Sequence, residues 1–474
     1  MPPPTLPALL DETLRAVSRR YRLPAIAAVP GPPHAAQPAT ALAAAIERAR
    51  EALDRNEVPG AALKRVFIEA LARLIHDAIR PGSGDPAFQA MVLRHRHAHL
   101  REYASLAAHT ARDRRAVYAT VNAIAHPARQ QRSAPGPQRD ALARLHAAAS
   151  AASWETVYDI AKRLLAMPKG ADASSIQRGL SRLLDGPELD RLRRLEELAA
   201  DALVRQYQTL VNRNGPRPGS STAAAQGAAA QQRGAAVEAL ATQALETLAQ
   251  RLNQAERDPQ AYRVVSSMRV PASIPANPDR AKSEWDVVLL RRVKGHHSPD
   301  GGHAPVWGIC LLVEAKASVD AATTDLARLL RGLRLLAHAD GNTVYPFETR
   351  QGVVALHGAS LHALATDESS LARSVLYCCD APAEAAPRLL GAASRMQLLS
   401  APASVKFASA LAEKKHADPQ DLEPVWRDLL ESPRWRAVLW QYPTLRQARE
   451  LMVHTDDLLA AIRGTHRGRK TVDR

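Results

Sequence analysis

The chain has 474 residues, more than one ordinary compact domain holds, so two or three folded units are expected. Hydrophobic residues make up 46% of it and charged residues 23%, the proportions of a globular protein rather than of a disordered one. Aromatic residues reach only 4%, which favours helices with Leu, Ala and Val cores over β-sandwiches.

The formal net charge is +15, and the sequence pI is about 10.1. A basic excess of this size suits a protein that binds phosphates, because each contacted phosphate releases a condensed counterion. An Arg-rich chain encoded by a GC-rich genome reaches the same charge without such a partner. The charge therefore supports nucleic-acid binding and does not establish it.

The three cysteines, Cys310, Cys378 and Cys379, form no C-x-x-C pair for zinc, and neighbouring cysteines rarely close a disulfide. The N-terminus lacks the basic start and apolar run of a signal peptide. No stretch approaches about 18 uncharged apolar residues, the length of a membrane span. We therefore expect a cytoplasmic protein with no membrane partner.

Residues 1–212 are expected to be helical almost throughout. Segments 40–56 and 61–80 carry apolar residues at i, i+3, i+4 and i+7, and the second ends at a Pro-Gly-Ser-Gly stop. We interpret this region as one that recognises the substrate or a protein partner.

Residues 213–233 contain few large apolar side chains, so we interpret most of them as a low-complexity linker and domain boundary.

Residues 234–382 have a different pattern, in which helices and strands alternate. The expected elements are a helix at 234–251, strands at 262–270, 285–291 and 306–316, a helix at 320–338, and strands at 352–357 and 374–379. Residues 383–474 are again expected to be helical.

Three charged residues interrupt the apolar strands of this region. Glu314 and Lys316 end one strand two positions apart, so they point to the same face. Asp286 opens another strand. If the two strands are neighbours, Asp286 and Glu314 can converge on one ion. A divalent cation and a phosphate would compensate for burying these charges.

These residues resemble the PD-(D/E)XK nuclease superfamily over residues 230–380. Asp286 matches the family's Asp, and Glu314-Ala315-Lys316 matches its E-x-K. The helix that begins at Gly234 resembles the family's G-x-x-x-E helix, with Glu238 as an additional carboxylate. The resemblance implies a mixed α+β or α/β fold. Its restriction-endonuclease-like αβββαβ core would be flanked by a large N-terminal and a smaller C-terminal all-α region.

The resemblance also implies a mechanism. Asp286, Glu314 and Glu238, with the carbonyl of Ala315, would hold Mg²⁺ or Mn²⁺, because these ions prefer oxygen ligands. Lys316 would orient or deprotonate the attacking water. Arg328, Arg331 and Arg334 recur every three residues on the following helix. We expect them either to grip the nucleic-acid backbone or to serve as surface residues.

The sequence departs from the family pattern in two respects. Trp285, not Pro, precedes Asp286, and 28 residues separate Asp286 from Glu314. The intervening turn-rich insertion contains Asp300 after a proline, so Asp300 is a rival metal ligand. Asp279 is a weaker rival. We favour Asp286, because a strand fixes its geometry whereas Asp300 lies in a Gly-rich loop.

The sequence thus predicts a Mg²⁺-dependent nuclease acting in restriction, phage defence or repair, with DNA favoured over RNA. A second hypothesis is a catalytically inactive, nuclease-like protein that binds nucleic acid or supports an assembly. A third is a helical interaction protein in which residues 284–316 form an ordinary hairpin. The third hypothesis predicts that Asp286 and Lys316 lie far apart or point into solvent.

Overall fold

The computed structural model describes residues 7–26, 37–131, 135–167, 173–216, 219–275, 279–297, 305–364 and 368–464. It is a mixed α and β protein with a helical N-terminal region and one sheet, as the sequence predicts in outline. The chain forms two compact units. The first comprises Met1–Leu74, Pro218–Leu398 and Leu422–Arg474, and the second comprises Ile75–Arg217 and Leu399–Asp421.

The N-terminal region is helical, with breaks that the apolar periodicity does not reveal. Its helices are α1 (Ala8–Ala16), α2 (Pro38–Asp54), α3 (Ala61–Ile79), α4 (Pro86–Arg96), α5 (Ala98–Ala125), α6 (Pro127–Gln130), α7 (Pro137–Ser150), α8 (Trp154–Leu165), α9 (Ala173–Asp185), α10 (Pro187–Ala199) and α11 (Ala202–Arg213). Ala152, between α7 and α8, has φ 56°, a left-handed conformation that ends a helix.

The predicted linker contains the division between the two compact units, but helix α12 (Ser221–Glu256) runs through most of its length. The side chain of Ser220 caps this helix by accepting a hydrogen bond from Ala223 N. Its first half is mostly exposed, and its buried residues begin at Val237. An Ala- and Gln-rich segment buries little surface, yet it has high helix propensity, so it extends a helix whose second half is packed.

The rest of the chain supplies seven strands and nine further helices among the described residues. The strands are β1 (Tyr262–Arg269), β2 (Glu284–His297), β3 (Pro305–Ala315), β4 (Val344–Thr349), β5 (Gly352–His357), β6 (Val375–Cys379) and β7 (Met452–His454). The helices are α13 (Val319–Ala337), α14 (Gly358–His362), α15 (Glu368–Ser374), α16 (Ala392–Ser400), α17 (Pro402–Ala412), α18 (Glu423–Glu431), α19 (Arg436–Leu439), α20 (Gln441–Leu451) and α21 (Thr455–Gly464).

The strands form one sheet in the order β2-β1-β4-β5-β3-β6-β7, with an additional β2–β3 pairing. β1, β2 and β3 are antiparallel neighbours, whereas β3, β6 and β7 run parallel. β4 and β5 form a hairpin that joins β1 to β3. Strands β1 to β5 therefore close into a ring, which differs from the open αβββαβ sheet expected from the sequence.

Two strands were not predicted. β4 contains Pro346, which counts against a strand because proline cannot donate to a ladder. β7 has only three residues, too few to display a period of two. Because β7 lies within 383–474 and pairs with β6, the C-terminal region is not all-α, and the sheet extends beyond the predicted boundary at 382.

Two hydrophobic clusters cover the two faces of the sheet. Val287 and Leu289 of β2 belong to the cluster that includes helices α1, α12 and α21. Val288 and Leu290 belong to the cluster that includes α13 and α20. Alternation along one strand thus separates the two layers. In this first unit helices therefore pack on both faces of the sheet that contains β2 and β3.

The second unit is built from helices. Buried residues of α5, α7, α8, α9 and α10 form its main core. Asp113, 1% exposed, accepts hydrogen bonds of 2.8 and 2.7 Å from Arg191 and ties α5 to α10. In the described part of the whole chain, no helix has the length and apolarity needed to cross a membrane.

Candidate active site

The β2–β3 pairing brings the predicted acidic residues together. Val287 pairs with Val313, so Asp286 and Glu314 occupy adjacent positions at the same end of the two strands. Asp286 Oδ2 accepts a hydrogen bond of 2.9 Å from Ala315 N, and Asp286 N donates to Glu314 Oε1 at 3.4 Å. This arrangement counts against the third hypothesis, which expects Asp286 to lie far from Lys316 or in solvent.

Glu314 is fully buried and is surrounded by charged groups. Its Oε2 forms an ion pair with Lys282 Nζ and lies 3.4 Å from Lys316 Nζ. Burial, together with the nearby Asp286 carboxylate, raises the pKa of Glu314 to about 8, although the two lysines act in the opposite direction. A carboxyl group with this pKa changes its protonation near neutral pH, as reactive groups often do.

Lys316 is held by an acidic partner on the following helix. Its Nζ lies 3.0 Å from Asp325 Oδ2, and the Tyr377 hydroxyl donates to the same oxygen at 3.3 Å. Burial alone would lower the pKa of Lys316, but the carboxylates of Glu314 and Asp325 more than offset it, and the pKa is raised. In this structure Lys316 is therefore a protonated, oriented cation rather than a free base.

Glu238 stands near this pair but is engaged elsewhere. Burial and the Asp286 and Glu284 carboxylates raise the pKa of Glu238, against the effect of Arg350. Arg350, from the β4–β5 turn, lies 3.2 Å from Glu238 Oε1, yet this buried oxygen has no hydrogen-bond partner. Glu238 is thus close enough to Asp286 to interact electrostatically, while its Oε1 is held in the ion pair with Arg350.

Arg328, Arg331 and Arg334 of α13 are exposed. Exposure is compatible both with binding of a nucleic-acid backbone and with a role as surface residues. Arg331 also donates a 2.9 Å hydrogen bond from Nε to the carbonyl of Arg280. This residue therefore fixes the segment that precedes β2 as well as presenting charge. Of the rival ligands, Asp300 lies outside the described residues, and Asp279 lies in a turn rather than on a strand.

Comparison with protein families, curated proteins and solved structures found no match to this chain. The function is therefore inferred from the geometry of the site. Across the described ranges, no group of three or more His, Cys, Asp or Glu side chains is placed to hold one metal ion. The predicted carboxylates come together as a close pair, Asp286 and Glu314, with Glu238 beside it and paired with Arg350.

Sequence reasoning missed two residues of the site, Lys282 and Asp325. Asp325 had a usable signal, since it falls three residues after Ala322 and four before Leu329, on the apolar face of α13. A carboxylate on the apolar face of a helix needs a basic or hydrogen-bonding partner in the interior of the protein. Lys282 had no such signal, because it precedes β2 in a segment without periodicity.

The raised pKa of Glu314 predicts a pH-dependent stability. The folded state keeps a proton that the unfolded state releases above the usual pKa of 4.5, so the free energy of unfolding falls as pH rises from 4.5 to about 8. Urea unfolding of the wild type between pH 5 and pH 9 measures this slope. Glu314→Gln is expected to flatten it, and Glu284→Gln, a more exposed carboxylate of β2, is expected to preserve it. Equal slopes in the wild type and Glu314→Gln would contradict the assignment.

Gly332 of α13 allows the segment that carries Lys282 to pack closely. A Cβ at this position would lie 2.7 Å from Lys282 Cβ and 3.0 Å from Lys282 O. We expect Gly332→Ala to lower the free energy of unfolding by about 1–2 kcal/mol, because overpacking outweighs the gain in helix propensity. Gly234→Ala, in α12 with open space around it, is the matched control and should be neutral or stabilising. Stabilisation by Gly332→Ala in the same denaturation assay would refute the close packing.

Proposed function

We propose that this chain is a metal-dependent nuclease that hydrolyses phosphodiester bonds, with DNA as the favoured substrate. One observation carries the proposal. Buried Glu314 lies beside Asp286 at the ends of two paired strands, with Lys316 held on the same strand end. A cluster of buried charges destabilises a fold unless the charges are compensated, and such clusters are common in catalytic sites.

The order of elements supports a restriction-endonuclease-like core within the larger sheet. Helix α12 precedes β1, β2 and β3, and α13 follows β3. The elements β4, β5, α14 and α15 come between α13 and β6. Among these strands, β2 runs antiparallel to β1 and to β3, and β6 runs parallel to β3. If β4, β5, α14 and α15 are treated as an insertion, the remaining elements follow the αβββαβ order implied by the resemblance. The ring of β1 to β5 departs from the open sheet of that order.

The donor set is consistent with a hard divalent cation. Asp286 and Glu314 offer carboxylate oxygens, and Glu238 has a buried oxygen without a hydrogen-bond partner. Asp286 and Glu314, assisted by Glu238 and the carbonyl of Ala315, would hold the ion. When bound, Mg²⁺ or Mn²⁺ would lower the pKa of a water molecule and stabilise charge on the phosphate.

The protein's own residues perform the remaining tasks. Lys316 is oriented by Asp325, so its positive charge would stabilise negative charge that develops on the phosphate in the transition state. The hydrogen bond from Ala315 N fixes the Asp286 carboxylate. The exposed arginines of α13 and the net charge of +15 suit binding of the phosphate backbone.

Cleavage assays test this function directly. Full-length wild-type protein is incubated with plasmid, single-stranded DNA and RNA in Mg²⁺, in Mn²⁺ and in EDTA. Cutting is expected only with metal, to be strongly reduced in Glu314→Gln and to be retained in Glu284→Gln. Cutting without metal, or cutting by Glu314→Gln at the wild-type rate, would contradict the proposal.

A second candidate is a nuclease-like protein that binds nucleic acid without cutting it. The pairing of Glu314 with Lys282 and of Glu238 with Arg350 favours this candidate, because basic side chains neutralise two of the expected ligands. Salt-sensitive binding to DNA by the wild type without cleavage in any metal would select it.

A further inference from the structure

Lys282 lies inside the carboxylate site although it belongs to no motif. Its side chain is 5% exposed and pairs with Glu314 Oε2, the oxygen that Lys316 also approaches. A buried ammonium group is costly unless an acidic group compensates for it. Lys282 is therefore a component of the site rather than a surface charge.

The backbone that carries Lys282 is fixed to α13 by three contacts. Lys282 N donates to the carbonyl of Arg328 at 3.2 Å, and Arg331 donates to the carbonyl of Arg280. Gly332 admits the Lys282 backbone where any larger residue would collide with it. The α-carbon of Lys282 therefore stays at the site, whereas its long side chain keeps several rotatable bonds.

An aromatic ring also lies beside the ammonium group of Lys282. The ring centroid of Trp285 lies 5.8 Å from Lys282 Nζ, within the range of a cation–π interaction. The Trp285 ring thus compensates the buried ammonium group in addition to Glu314.

The basic and acidic side chains of the site lie in pairs in this arrangement. Lys282 opposes Glu314, and Lys316 opposes Asp325, which leaves Asp286 as the additional carboxylate. A divalent cation between Asp286 and Glu314 would place two further positive charges beside Lys282. Like charges at such distances repel strongly in a buried site, so the metal and Lys282 compete for the carboxylate of Glu314.

We infer that Lys282 is an internal cation that competes with the divalent metal for Glu314, and that the nucleic-acid backbone relieves this competition. The inference rests on the proposed nuclease function. Each bound phosphodiester brings a negative charge that offsets the surplus positive charge. Metal and nucleic acid therefore strengthen each other's binding by the same factor. Lys282 acts as a positioning residue that keeps metal affinity low until substrate is present.

Calorimetric titration of Mn²⁺ into the full-length protein, without nucleic acid, tests the competition. Lys282→Met keeps the side-chain length and removes the charge, and it is expected to bind Mn²⁺ at least about tenfold more tightly than wild type. Lys294→Met, at an exposed lysine of β2, is the control and should bind as wild type does. Thermal unfolding of each metal-free variant checks the fold, and Lys282→Gln repeats the test with a polar side chain.

A second titration adds a non-cleavable phosphorothioate duplex. The duplex is expected to tighten Mn²⁺ binding by the wild type more than by Lys282→Met. Wild-type or weaker Mn²⁺ affinity in both Lys282 variants, or equal tightening by the duplex, overturns the inference and leaves the nuclease proposal standing. Failure of every form to bind Mn²⁺, with or without the duplex, overturns both.

Discussion

Replacing Lys316 with methionine is expected to reduce the rate of Mg²⁺-dependent cleavage by about 10²–10³-fold, the usual effect of removing one charge-stabilising group from a transition state. Lys316 lies 3.4 Å from Glu314 and 3.0 Å from Asp325, so its ammonium group is fixed before substrate arrives. Single-turnover cleavage of a labelled DNA, with Mg²⁺ in excess, measures the rate constant of the chemical step.

Two further variants separate catalysis by Lys316 from support of the fold. Asp325→Asn weakens the orientation of Lys316 and should cause a smaller loss, together with a changed pH profile. Lys294→Met, on an exposed part of β2, should cleave at the wild-type rate. Wild-type cleavage by a well-folded Lys316→Met protein would remove Lys316 from the mechanism.

Asp286→Asn is expected to reduce cleavage by about 10²-fold or more, because it removes the charge of one of the two paired carboxylates that would hold the metal. The substitution preserves the size of the side chain and its capacity to accept the hydrogen bond from Ala315 N. Its main effect should therefore be on metal dependence, seen as a shift to higher Mg²⁺ concentrations in the same cleavage assay.

Asp300→Asn is the informative comparison, since Asp300 is the rival suggested by the sequence. Cleavage by Asp300→Asn is expected to match that of the wild type at every Mg²⁺ concentration. The reverse pattern, with Asp286→Asn active and Asp300→Asn inactive, would transfer the ligand assignment to the insertion between β2 and β3.

The central elements of the site were predictable because their signals are local. The apolar runs of β2 and β3 predict buried strands, and charged residues at strand ends draw attention to Asp286, Glu314 and Lys316. Alternation then places Glu314 and Lys316 on one face. The helix α13 was predicted to within a few residues from its apolar stripe.

The remaining features depend on contacts between distant segments. Lys282 meets Glu314 only because the segment before β2 is fastened to α13, which follows β3. Arg350 meets Glu238 only because the β4–β5 turn reaches α12. Neither contact produces a periodic pattern in the sequence. The ring of five strands closes through short pairings between β1 and β4 and between β3 and β5, which the sequence of a single strand does not predict.

The closure of β1 to β5 has a consequence for self-association. A strand with a free side offers unpaired amide and carbonyl groups to a second chain, and such sides promote domain swapping and fibril growth. Here β1 and β2 each have a strand on both sides, and within the described sheet β7 alone has one side wholly unpaired. β7 is three residues long and buried, so this wholly unpaired side presents little template for intermolecular β-pairing.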